Sequence, residues 1–170
     1  VIFMVEYQRK DRYDINDLRD IMSILRSPQG CPWDREQIHK SIRNDFIEEV
    51  YEAIEAIDLE DTELLKEELG DVLLQIIFHC RIEEEKSCFD FDDICDELCK
   101  KLIIRHPHVF GDITVSDSGE VLKNWDSIKK ETKGQTSYTE TLTSVAKSLP
   151  ALMRAQKVGK RAMRAGMDFS

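Results

Sequence analysis

The chain has 170 residues and a net charge of −10, from 24 Lys+Arg against 34 Asp+Glu. That length suits one compact domain with a sizeable core. Hydrophobic residues make up 41% of it, which argues against a disordered acidic chain, and seven Gly with four Pro argue against a many-turned β-sandwich. No apolar run approaches the ~18 residues of a membrane helix. Val1-Ile2-Phe3-Met4-Val5 lacks the basic flank of a signal peptide. The acidic balance also predicts no stable nucleic-acid binding, because phosphate contacts need clustered cations.

The charge is unevenly placed. Residues 45–97 hold 20 acids and three bases, a balance of −17, whereas residues 98–170 balance to +6. Helical periodicity runs through both regions. Ile15, Leu18, Ile21, Met22 and Leu25 mark a first helix, with Asp14 as its cap and Ser27-Pro28-Gln29-Gly30 as its stop. Cys31-Pro32-Trp33-Asp34 reads as a loop in which Trp33 is a plug. Phe46, Ile47, Val50, Ala53, Ile54 and Ile57 mark a second helix and its apolar stripe. Leu65, Leu69, Val72, Leu73, Ile76 and Cys80 mark a third, expected to be the longest. Phe91, Ile94, Cys95, Leu98 and Leu102 mark a fourth, which Pro107 should end because the residue before proline avoids the α region. Val121, Leu122, Trp125 and Ile128 indicate a shorter fifth helix. Residues 132–143 read as a polar, mobile linker, and residues 144–170 as a basic amphipathic tail. No strand and no repeat is evident. The expected fold is an all-α helical bundle, with four main helices and shorter C-terminal ones.

Five cysteines at irregular spacing do not make a disulfide framework, so a reduced, cytoplasmic protein is expected. Cys95 and Cys99 with His106 and His108 could be imagined around zinc. No C-x-x-C pair supports that, and buried thiols are the plainer reading.

The decisive pattern is carboxylate. Glu48-Glu49-Val50-Tyr51-Glu52 is followed by Glu68-Leu69-Gly70-Asp71. At 3.6 residues per turn, Glu48, Glu49 and Glu52 span an arc of about 100°, and Glu68 and Asp71 share a face. Two adjacent antiparallel helices could aim all five at one volume. The alternative is a solvated polar face. Against it, no Lys or Arg occurs from Asn44 to Leu65, although exposed helices usually interleave cations. Uncompensated neighbours four apart each cost about 0.2–0.5 kcal/mol. Hard oxygen ligands without His or Cys suit Mg²⁺, or Mn²⁺, rather than zinc. A polyphosphate held by such an ion needs cations for its remaining charge. Lys100, Lys101 and Arg105 close the fourth helix, and Lys129 follows Trp125 by one turn. An indole beside an ammonium could stack a base, although a core anchor is the simpler role for Trp125 alone. No P-loop or G-x-G-x-x-G motif is present.

Glu48-Glu49-x-x-Glu52 with Glu68-x-x-Asp71 resembles the MazG family of nucleoside triphosphate pyrophosphohydrolases. Gly30-Cys31-Pro32-Trp33-Asp34, Arg105-His106-Pro107-His108-Val109-Phe110 and Asn124-Trp125-x-x-x-Lys129 extend the resemblance over about residues 17–131. It is closest to the first domain of two-domain members, with residues 144–170 like the segment that leads into the second. The resemblance implies the all-α NTP pyrophosphatase fold, a homodimer or higher oligomer, and Mg²⁺-dependent conversion of NTP and water to NMP and pyrophosphate in nucleotide-pool house-cleaning. It implies Glu49, Glu52, Glu68 and Asp71 as metal ligands, with Glu48 and Glu49 catalytic and Glu48 orienting water. It further implies Lys101, Arg105 and Lys129 as phosphate contacts and Trp125 as a nucleoside contact. Where some relatives carry a basic residue one turn before the Glu pair, this chain has Asp45. A catalytically weak dimerisation or nucleotide-sensing module of the same fold is the alternative.

Overall fold

A computed structural model describes residues 6–132 and 137–167. The side chain of Leu122, residues 133–136 and Phe169 lie outside the described residues. Every regular element among the described residues is helical, as the periodicity predicts. The chain divides into two compact units, Val1–Glu97 and Leu98–Ser170.

The first unit begins with α1, Ile15–Leu25. Asp14 caps it: its carboxylate accepts from the Asn16 and Asp17 amides at 2.8 and 3.2 Å, and Asp17 reciprocates to the Asp14 amide at 3.0 Å. Gly30 then lies against the end of α1, where a Cβ would meet the Ile24 and Leu25 carbonyl oxygens at 2.1 and 2.3 Å. No larger residue fits that turn. The Cys-Pro-Trp-Asp segment is not a loop but a short helix, α2, Pro32–Glu36, started by proline at its first position. Trp33 plugs nothing, being 57% exposed.

α3, Arg43–Asp58, and α4, Thr62–Glu84, form an antiparallel hairpin. Their turn is tight because Glu60 takes a left-handed conformation (φ 56°). The Asp61 and Glu60 amides return to the Ala56 and Ile57 carbonyls at 3.0 and 3.1 Å, a Schellman closure of α3. Asp61 immediately caps α4 through the Glu63 and Leu64 amides. Two helices so closely joined leave little freedom in their register.

The core of this unit gathers Met22, Ile42, Ile77, Phe78 and Ile82, with Leu18, Leu73, Leu74 and Phe91 packed against it. The buried residues of α3 are small, Ala53 and Ala56, and α4 is the helix it packs against. The larger stripe expected to be its core side, Ile47, Val50, Ile54 and Ile57, is instead exposed, as is Tyr51. Small residues let the α3 and α4 backbones approach, and the bulkier stripe is turned outward.

Arg26 fastens the end of α1. Its guanidinium donates twice to Glu85, at 2.9 and 2.8 Å, and to the Asp34 and Gln37 carbonyls at 2.5 and 3.1 Å. It also covers the Phe78 ring at 5.3 Å. α5, Phe91–Arg105, starts in this unit, where Arg19 grips Asp92 through two bonds at 2.9 and 3.1 Å.

Pro107 ends α5 at Arg105, as expected, and also opens the single turn α6, Pro107–Phe110. α7, Ser118–Thr132, runs longer than its apolar residues indicated. Part of the expected linker is helical: α8, Tyr138–Thr143, is started by a capping box between Ser137 and Glu140. Polar composition concealed that nucleus. The tail forms α9, Ala151–Arg164. Arg161 on α9 donates to Ser144 Oγ at 2.8 Å and to the Thr141 carbonyl. No described helix is long and apolar enough to cross a membrane.

Candidate metal centre

Charge pattern and hairpin geometry meet on the facing sides of α3 and α4. Because the helices are antiparallel, Glu49 on α3 reaches the level of Glu68 and Asp71 on α4. One carboxylate oxygen from each of these three lies within 4.8 Å of the others. All three side chains are half-buried. Glu52, one turn along α3, is exposed, but its charge still bears on both Glu49 and Glu68. Glu48 is exposed and stands outside the convergent set.

The electrostatics are those of an uncompensated anionic site. Burial pushes the Glu49 carboxyl above its ordinary range, and the charges of Asp71, Glu52 and Glu68 push it further. Glu68 is raised for the same reasons, burial first, then Glu52, Asp71 and Glu67. Among the described residues, no Lys or Arg pairs with Glu49, Glu52, Glu68 or Asp71. Glu68 Oε2 is buried and has no hydrogen-bond partner. An orphaned, desolvated carboxylate oxygen among other carboxylates fits a hard divalent cation, which would satisfy the oxygen and neutralise the set. The Cys95, Cys99, His106 and His108 set contributes to no convergent ligand group among the described residues.

The expected substrate contacts lie in the second unit. There Arg105 covers the Trp125 ring with its guanidinium at 5.3 Å, and His106 meets the same ring edge-on at 4.9 Å. His106 is held by its Nδ1–H, which donates to the Leu102 carbonyl at 2.7 Å. Arg105 Nε is a buried donor without a partner. Lys101 is exposed one turn before Arg105, and Lys129 is half-buried one turn after Trp125.

A histidine cluster was not foreseen from the sequence. His39, from the segment between α2 and α3, and His79, on α4, bring their Nδ1 atoms to 2.7 Å with rings stacked at 5.0 Å. The other His39 nitrogen bonds Glu83, which Lys86 also holds at 2.7 Å. Those two partners, Lys86 first, depress the Glu83 carboxyl to about 2. Burial and the charge of His39 lower His79. The signal was faint: Gln75 and His79 are polar positions within an apolar run, four residues apart, and Glu83 continues the spacing.

A helix pair whose carboxylates converge without cations defines an all-helical class of protein with an acidic cluster that could hold a metal ion. Comparisons narrow this. Residues 37–110 match the MazG nucleotide pyrophosphohydrolase domain. Nucleoside triphosphate pyrophosphohydrolase of Escherichia coli strain K12 is 45% identical over 92% of this chain and 60% of its own length. Nucleoside triphosphate pyrophosphohydrolase/pyrophosphatase MazG of Thermotoga maritima is 44% identical over 90% of this chain and 58% of its own. The uncharacterized protein YabN of Bacillus subtilis is 48% identical over 87% of this chain and 30% of its own. In structure, a MazG-related protein from Thermotoga maritima superposes with a TM-score of 0.57 at 25% identity, covering 68% of this chain and 99% of that one. The chain thus carries a match to the MazG domain over residues 37–110 and resembles pyrophosphohydrolases of that name over about 90% of its length. It spans 30–60% of the length of these three curated relatives.

Proposed function

We propose that this protein is a Mg²⁺-dependent nucleoside triphosphate pyrophosphohydrolase that converts NTP and water to NMP and pyrophosphate. The observation that carries the reading is the convergence of Glu49, Glu68 and Asp71 within 4.8 Å, with Glu68 Oε2 buried and unpartnered. The names of the Escherichia coli and Thermotoga maritima relatives support the same substrate class.

In this reading Glu49, Glu52, Glu68 and Asp71 hold Mg²⁺, with Mn²⁺ as a substitute. The cation, when bound, draws charge from the phosphate oxygens and stabilises the leaving pyrophosphate. Glu48 and Glu49 are the catalytic carboxylates, with Glu48 orienting the attacking water. No protein nucleophile is needed. Lys101, Arg105 and Lys129 hold phosphates, and the unpartnered Arg105 Nε supports this by offering a donor. Trp125 contacts the nucleoside.

The working form is a homodimer or higher oligomer. Support comes from the exposed α3 stripe of Ile47, Val50, Tyr51, Ile54 and Ile57, which five neighbouring helical positions make continuous. Residues 1–131 form the functional domain, 132–143 a linker and 144–170 a tail toward a further segment. The role is control of the cytoplasmic nucleotide pool. Incubation of this chain with a panel of NTPs and Mg²⁺ tests the reading. Pyrophosphate and NMP are expected, with turnover lost in Glu49→Ala and Asp71→Ala. Release of inorganic phosphate, or undiminished turnover in both variants, would overturn it.

A further inference from the structure

Arg19, Arg26 and Arg81, in the first unit, show one way of aiming a guanidinium. Arg19 lies over the Phe91 ring at 5.5 Å and Arg26 over the Phe78 ring at 5.3 Å, yet each also donates twice to a carboxylate, Asp92 or Glu85. Arg81 is held by Glu84 and Glu85. In all three the carboxylate fixes the side chain and takes up its N–H groups.

Arg105, in the second unit, is aimed differently. Its guanidinium lies over the Trp125 ring at 5.3 Å, but no carboxylate among the described residues pairs with it. Both residues are half-buried, so solvent reaches the pair. A guanidinium stacked on an indole still carries its N–H groups in its own plane, free to meet an oxyanion. The ring is itself fixed. His106 meets it edge-on at 4.9 Å, and the Nδ1–H of His106 donates to the Leu102 carbonyl at 2.7 Å. Pro107 makes this grip possible. His106 leaves the helical conformation before it, with φ −122° and ψ 57°, so two consecutive residues reach one indole, one at its face and one at its edge.

We propose that Trp125 is a positioning residue for Arg105: the indole face holds the guanidinium in place and leaves its N–H groups for the phosphates of the substrate. This rests on the nucleoside triphosphate reading above, in which Arg105 is a phosphate contact. The role is separate from a nucleoside contact by Trp125. A carboxylate would hold the arginine equally well but would neutralise it and compete with the phosphate for its donors. An aromatic face holds it without doing either. Ordering a long, flexible side chain on binding costs about two- to twelvefold in affinity, and an arginine already held by a ring avoids part of that cost.

The test uses a ligand with no nucleoside, inorganic tripolyphosphate as its Mg²⁺ complex, bound to the whole chain and followed by calorimetry. Trp125→Leu should weaken this binding about three- to tenfold. Trp125→Phe, which keeps a ring face, should stay within about twofold of wild type. Trp125→Met repeats the measurement if the leucine variant does not fold. A double-mutant cycle separates positioning from a merely structural role. In an Arg105→Gln background, Trp125→Leu should change the affinity by less than about twofold, because the group it acts through is gone. Tripolyphosphate binding that Trp125→Leu leaves unchanged overturns the proposal. So does an equal loss in both backgrounds, and so does a wild-type chain that does not bind tripolyphosphate. Failure of the pyrophosphohydrolase reading is distinguishable: tripolyphosphate would bind with the same dependence on Trp125 and Arg105, but NTPs would release no pyrophosphate.

Discussion

The two halves of α4 treat acidic residues in opposite ways. In the C-terminal half Glu83 bonds His39 and Lys86, Glu84 pairs with Arg81 at 2.9 Å, and Glu85 pairs with the buried Arg26 at 2.8 Å. Partners pull Glu83 and Glu85 below the ordinary carboxylate range. In the N-terminal half Glu68 and Asp71 face Glu49 with no cation paired to them among the described residues, and Glu68 is pushed up. One half of the helix spends its charges on holding the fold. The other keeps like charges together at a cost to the fold, and a bound cation would remove that cost. Such local conflict within an otherwise consistent helix is the mark of a functional site.

The largest expected effect comes from the strained half. Glu68→Gln should lower pyrophosphate release by at least about 10²–10³-fold, as loss of one preorganised charge-stabilising group does. The same change should raise the melting temperature of the metal-free protein, because it removes one like charge. An unchanged rate with a lower melting temperature would reverse the assignment of the two halves.

Next is a change in the satisfied half. Glu85→Ala leaves the Arg26 guanidinium, 5% exposed, without its carboxylate. Stripping one partner from a buried pair is costly, and because Glu85 is 31% exposed the expected loss is nearer about 2 kcal/mol in urea unfolding. Turnover per folded molecule should stay at the wild-type level.

Acid separates the halves by sign. Burial lowers His79, so its neutral state favours the fold above about pH 6.5 and that contribution fades below it. Glu83, held at about 2 against an ordinary 4.5, stabilises above 4.5, and this is lost as pH falls from 4.5 toward 2. Glu49 and Glu68 act in the opposite sense: with raised affinities they burden the fold at neutral pH, and protonation relieves it. Thermal melts from pH 7 to 3 should therefore show a steeper acid loss in Glu68→Gln than in wild type, and a shallower one below 4.5 in Glu83→Gln.

A smaller effect follows from filling the site. Mg²⁺ at ten times its dissociation constant should stabilise the protein by about 1.4 kcal/mol, reversed by EDTA. Asp71→Asn should respond less. The smallest is Gly70→Ala, next to the site. A Cβ there meets nothing within 4 Å, so a helical alanine should stabilise by about 0.5–1 kcal/mol.

Much of this molecule was readable in its residues. Apolar spacing located the long helices, Asp14 located a cap, and Pro107 located the end of α5. Local rules suffice there because each signal acts within a turn or two. The metal set was readable in kind, since Glu and Asp at three and four apart must share a face. Its membership was not: Glu49, Glu68 and Asp71 converge while Glu48 and Glu52 are exposed, because the rotation of α3 against α4 sets how far each neighbouring acid faces inward. The same rotation leaves Ile47, Val50, Ile54 and Ile57 outward, against the rule that the larger apolar stripe is buried. The His39–His79 contact joins residues 40 apart through a segment between helices, which no periodicity reports.

The sequence by itself determined the all-helical class, the acidic-then-basic division and the carboxylate chemistry, since these depend on residue type and on spacing within one helix. The tertiary structure decided which carboxylates converge, which apolar stripe stays exposed and which buried polar atoms lack partners. Those outcomes depend on how one helix is rotated against another, and that is set by the sum of many packing contacts that no single segment of the chain contains.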